Sequence, residues 1–138
     1  MRKAWKIAFL AGALALSGTA MAQQHSIDQE IDQCKSAKPN LLGQIECELM
    51  GYQKWNAEME RLYNQLLVQL DEQSKLVLKE EQLAWATLRD VHFEFYEKFY
   101  GRKEGQYLTL MASSKTDFVR QRARELQLHL NELGSMGR

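Results

Sequence analysis

The sequence predicts an all-α fold, an antiparallel three-helix bundle preceded by a disulfide-tied loop. Three observations lead there. Apolar residues recur at three- and four-residue spacing along three long stretches. No stretch shows the strict alternation of a half-buried strand. Cys34 and Cys47, the only cysteines, bracket the approach to the first long helical pattern.

The chain has 138 residues, 45% of them hydrophobic and 26% charged, as in an ordinary globular domain. One proline and eight glycines exclude collagen-like and low-complexity architectures. Eighteen bases balance eighteen acids, which removes the basic excess that a nucleic-acid binder normally needs. No apolar run reaches the 20 or so residues of a spanning helix, so no stable membrane insertion is expected.

Residues 1–22 have the layout of a secretory signal peptide. Arg2, Lys3 and Lys6 are followed by an apolar stretch from Ile7 to Leu16, and Ala20-Met21-Ala22 supplies the small-residue cleavage pattern. Cleavage before Gln23 would leave 116 residues as one domain, 23–138, with 15 bases against 18 acids and a net charge of −3. The expected compartment is the periplasm. An even cysteine pair in an oxidising compartment reads as a disulfide. Closing the 14-residue loop from Cys34 to Cys47 would stabilise the fold by about 3 kcal/mol in the chain-entropy model. Pro39, Asn40 and Gly43 inside it favour an irregular turn. His25, His92 and His129 are scattered, so no metal site is expected.

The first helix is predicted over Glu46 to Leu70, with Leu49, Tyr52, Met59, Tyr63, Leu66, Leu67 and Leu70 on one stripe. Asp71 and Ser74 are both candidate caps for the next helix. That second helix, Ser74 to Tyr100, carries two adjacent strips. Val77, Ala84, Leu88, Val91, Phe95 and Phe99 form one, and Gln82, Trp85, Arg89, Phe93 and Tyr96 the other. Together they span about 200°, twice the stripe of a helix with one neighbour, which predicts a central helix touching two partners. Gly101 to Gly105 is a turn. A third helix follows through Leu108, Met111, Val119, Ala123, Leu126, Leu130 and Leu133, weakened at Ser113-Ser114 and ended by Gly134.

Catalytic motifs are missing: there is no phosphate loop, paired-histidine zinc motif or serine elbow. Glu58/Glu60 and Glu80/Glu81 are too close in sequence to face each other on a helix, and they read as solvated charge. Neither an enzyme nor a cofactor is expected. Gln82, Trp85 and Arg89 share one side of their helix and read as a core tryptophan flanked by two polar groups reaching a partner helix. A buried Arg89 would need an acceptor such as Glu60 or Tyr63. The run from Lys98 to Lys103 has only three bases, and its aromatics also fit the helical pattern. Residues 23–97 carry 14 acids and 7 bases, whereas residues 98–138 carry 8 bases and 4 acids. The acidic portion would steer a basic partner.

Cys34 and Cys47, then Tyr52, Asn56, Met59, Glu60 and Tyr63, then Gln82, Trp85, Arg89 and Asp90, occur in the order and spacing of a known pattern. Over about Ile31 to Leu126 the chain resembles the LprI-like lysozyme-inhibitor family. Its pattern is a cysteine pair, Tyr and Leu-Asn before a second Tyr, then Gln-x-x-Trp with Arg-Asp downstream. Here Met59-Glu60 replaces Leu-Asn, and Phe93 and Ser114 stand where many members have a second cysteine pair. The resemblance implies a small exported helical domain acting by binding a protein, most concretely a lysozyme. A periplasmic interaction module serving envelope stress or assembly is the alternative. Tyr52, Tyr63, Gln82, Trp85, Arg89 and Asp90 are the family-motif candidates, and Asp71, Glu72, Arg102 and Lys103 the candidate partner contacts.

Overall fold

The computed structural model describes residues 24–137. The leader expected over 1–22 lies outside the described residues. These form four helices, α1 (Ser26–Ala37), α2 (Leu41–Gln69), α3 (Glu72–Tyr100) and α4 (Gln106–Met136), with no strand among them.

The expected three-helix bundle therefore has a fourth member, and the expected cysteine loop is helical. Only Lys38-Pro39-Asn40 breaks the helix between the cysteines. The Asn40 side chain accepts a hydrogen bond from Gly43 N at 2.8 Å and caps α2. Gln44 donates to the carbonyls of Lys35 and Lys38, closing the end of α1. Ile27 and Ile31 are the only core side chains of this twelve-residue helix, too few to give a clear periodicity. The Cys34–Cys47 disulfide, with Cα atoms 5.6 Å apart, thus clips α1 to α2. Gly51 permits the close approach, because a Cβ there would fall 2.4 Å from Ile31 Cδ1.

The most extensive helix interface is between α2 and α4. Cys47, Trp55, Met59, Leu62 and Leu66 of α2 are buried, as are Val119, Ala123, Leu126 and Leu130 of α4. Fully burying each large side chain of this kind contributes about 1.5–3 kcal/mol. The Thr116 hydroxyl donates to the carbonyl of Glu48 at 3.0 Å at one end, while Leu66 and Leu133 line one cleft at the other. The two helices therefore run parallel, and α1 and α3 run against them. Leu49, placed on the first helix's apolar stripe by periodicity, is 55% exposed, since the buried face turns toward Trp55 and Leu62.

The central position expected for the Ser74–Tyr100 helix belongs instead to α2 and α4. Helix α3 leans on α4, and its only fully buried side chain is Leu78. Bulky groups hold it away: Trp85 stacks on Phe118 at 5.8 Å between centroids, and Phe93 meets the same ring edge-on at 6.2 Å. Helix separation follows the size of the side chains at the contact. One of the two strips of α3 faces α4, and the other, beyond Val77, is left outside.

Both connections are short. Asp71 caps α3 by accepting from Ser74 N at 2.9 Å and from the Ser74 hydroxyl at 2.7 Å. Gly105, at φ 67°, supplies the left-handed residue before α4. The expected weakening at Ser113-Ser114 does not break α4, because Ser113 returns its hydroxyl to the carbonyl of Leu110. Gly134 lies inside the helix, which continues to Met136.

Candidate partner-binding site

Tyr52, Tyr63, Gln82 and Trp85 join the three long helices, while Arg89 and Asp90 pair with each other on α3. Gln82 spans the bundle: its amide nitrogen donates to Met59 Sδ of α2 at 3.2 Å, and its oxygen accepts from Arg122 Nε of α4 at 3.0 Å. Arg122, 2% exposed, also donates to Glu81 at 3.0 and 3.2 Å and to Glu125 at 2.8 Å. Burial works against the Arg122 cation, but these carboxylates outweigh it and raise its pKa above the ordinary value. The hydrogen bond from Arg122 holds Glu81 below the usual carboxylate range, against its partial burial. The buried arginine of this fold is therefore Arg122. Its place three residues after Val119 and four before Leu126, on the apolar stripe of α4, is the sequence signal that marks it.

Arg89 is only half-buried. It lies over the Trp85 ring at 5.5 Å and donates to Asp90 at 2.8 and 2.9 Å, so neither Glu60 nor Tyr63 is its acceptor. Glu60 instead accepts from Asn56 at 2.8 Å, and Tyr63 packs against the core. Tyr52 meets Phe93 edge-on at 5.8 Å, and Lys115 lies 5.3 Å above the Phe93 ring. Phe93 thus belongs to an aromatic cluster.

A second cluster escaped the sequence. Trp55, 1% exposed, donates its indole N–H to Asp28 at 3.1 Å. Arg120 and Arg124 pair with the same carboxylate at 2.9 Å each and lie 5.8 and 5.7 Å from the Trp55 ring. Trp55 stands four residues before Met59, so spacing alone could have placed it in the core. Nothing marked Asp28, which lay in a stretch with no predicted element.

The four candidate contacts do not form one surface. Asp71 and Glu72 begin α3, and Arg102 and Lys103 follow its end, about 45 Å away for a helix of this length. Lys103 lies over the rings of Phe99 and Tyr107, at 5.2 and 4.7 Å. At the other end, the two Ser74 bonds hold the Asp71 carboxyl below its ordinary pKa, and the bond from Lys75 does the same for Glu72. Beside them opens a mostly apolar cleft of about 450 Å³ between α2, α3 and α4. Leu66, Leu70, Val77 and Leu133 line it, with Glu81 and Glu132 among its walls. This acidic end suits a protruding basic or apolar group of a protein partner. Among the described residues no cluster of three or more His, Cys, Asp or Glu could hold a metal, and no helix is long and apolar enough to cross a membrane.

The architecture defines a small all-α domain in which a disulfide clips a short helix to a parallel core pair. The chain belongs to the lysozyme inhibitor LprI family, whose model matches residues 23–126. No curated protein and no solved structure matches it.

Proposed function

We propose that this chain is exported, loses residues 1–22, and binds a lysozyme so as to block its substrate cleft. Membership of the lysozyme inhibitor LprI family is the observation that carries this reading. The acidic cleft end, with Asp71 and Glu72 fully exposed and held ionised, supports it, since lysozymes are often basic proteins. Gln82 and Trp85 serve the docked surface indirectly, by fixing α3 against α4, and Arg89 covers the Trp85 ring. Tyr52 and Tyr63 pack the same bundle from α2. Arg102 and Lys103 lie at the far end and take no part.

The test is a titration of several lysozymes with the purified protein, followed by clearing of a cell-wall suspension. Activity should fall in proportion to added protein and level off at a fixed molar ratio. Full lysozyme activity at large molar excess, for every lysozyme tried, removes the reading in favour of a different envelope partner. The mass of the chain recovered from an exporting host tests the first step, with Gln23 expected at its start.

A further inference from the structure

From Ala84 to Phe99 the strip of α3 that faces away from the bundle is apolar. Leu88, Val91, Phe95 and Phe99 are each between 50% and 58% exposed. Ala84 continues the line, and Phe95 stacks on Phe99 at 5.4 Å, so the strip is a continuous ridge. The run Ala84, Leu88, Val91, Phe95 has the four-three-four spacing of a helix-pairing seam. A solvated helix seldom keeps such a seam without a partner.

We propose that this strip pairs with the same strip of a second copy, with the two α3 helices antiparallel. A parallel pair would set Ala84 against Ala84 and Phe95 against Phe95, whereas the antiparallel pair sets small against large. Leu88 then meets Val91 of the partner helix and Ala84 meets Phe95, a small residue opposite a large one, each pair adding to the same register. The flank agrees. Glu80 and Lys98 lie on one side of the seam, eighteen residues and five turns apart. In an antiparallel pair the same flank of each copy meets, and Glu80 falls opposite Lys98 within one residue of that register. A parallel pair would set the acidic start Glu80-Glu81 beside another copy of itself. Glu80 has no ion-pair partner among the described residues, and Lys98, 69% exposed, reaches only Glu94 of its own helix. Both ends of the cross-pair are thus accessible.

Size also fits a second copy. Leu88, Val91, Phe95 and Phe99 offer on the order of 100 Å² each, so the pair would bury about 800 Å², the range of weak, transient interfaces. A reversible dimer follows, with a dissociation constant in the micromolar range or weaker. Glu80 and Glu94 beside the seam disfavour an anionic bilayer as its occupant.

Sedimentation equilibrium of the protein, purified as an expressing host processes it, tests this. The wild type should pass from monomer to dimer with concentration. Leu88→Glu should raise the dissociation constant at least about tenfold while helicity and thermal midpoint stay unchanged. Glu80→Lys and Lys98→Glu should each weaken the dimer about threefold, and the double exchange should return it to within about twofold of wild type. A wild type that stays monomeric to about 1 mM overturns the proposal, as does a Leu88→Glu dimer of unchanged strength. Failure of the double exchange to restore what the single changes lose overturns it as well.

Discussion

Asp28 of α1 and Trp55 of α2 meet through an indole N–H bond of 3.1 Å, and the same carboxylate pairs with Arg120 and Arg124 of α4. One acid from a twelve-residue helix thus ties three helices together around a buried tryptophan.

Asp28→Ala should therefore destabilise the fold by about 2 kcal/mol, since it leaves a buried indole N–H unpaired and releases two arginines from the ring. Urea unfolding followed by tryptophan fluorescence measures it. Asp28→Asn, which keeps an acceptor for the indole, should cost less than the alanine change.

The Arg122–Glu81 bond predicts a pH dependence. Glu81 titrates below its ordinary 4.5 in the fold because Arg122 donates to it. Its contribution to stability is thus complete above that value and is lost as pH falls through the lower folded value. Arg122→Met should cost about 1–2 kcal/mol at neutral pH, because the carboxylates left behind are half-exposed, and it should flatten the acid limb. Thermal midpoints of both proteins between pH 7 and pH 3 check the difference.

Replacing Cys34 and Cys47 by serine together should lower stability by about 3 kcal/mol. Most of the loss should appear in α1, which has only Ile27 and Ile31 in the core. Hydrogen exchange should show α1 amides losing protection before those of α2 and α4.

Asp71→Asn with Glu72→Gln removes two charges while keeping an acceptor at the α3 cap. Helicity should be unchanged, and lysozyme inhibition should weaken about tenfold, with a smaller dependence on salt. Equal inhibition by the wild type and the double variant would move the contact surface away from the cleft end.

Much of the helical content was legible because it depends on local spacing. Tyr63, Leu66 and Leu67 mark α2, Trp85, Phe93 and Tyr96 mark α3, and Val119, Ala123 and Leu126 mark α4 without any knowledge of neighbours. The disulfide was legible for an equally local reason, two thiols with no other partner. Helix α1 was not, because two isoleucines in twelve residues give no pattern and Pro39 and Gly43 resemble loop signals. Gly43 lies in the first turn of α2, where the Asn40 cap accounts for it.

By itself the sequence determined that this protein is helical, clipped by one sulfur bridge, and like the lysozyme inhibitor LprI family in its ordered tyrosine, glutamine, tryptophan and arginine positions. Which helix lies at the centre was decided only in three dimensions. A wide apolar face shows that a helix has more than one surface to cover, but not whether this chain covers both. The small residues Gly51 of α2 and Thr116, Val119 and Ala123 of α4 let those helices close on each other around Trp55, whereas the rings between α3 and α4 hold α3 off and leave one of its strips bare. The roles of Arg122 and Asp28 were settled in the same way, since a buried charge is defined by the partners that reach it from other helices.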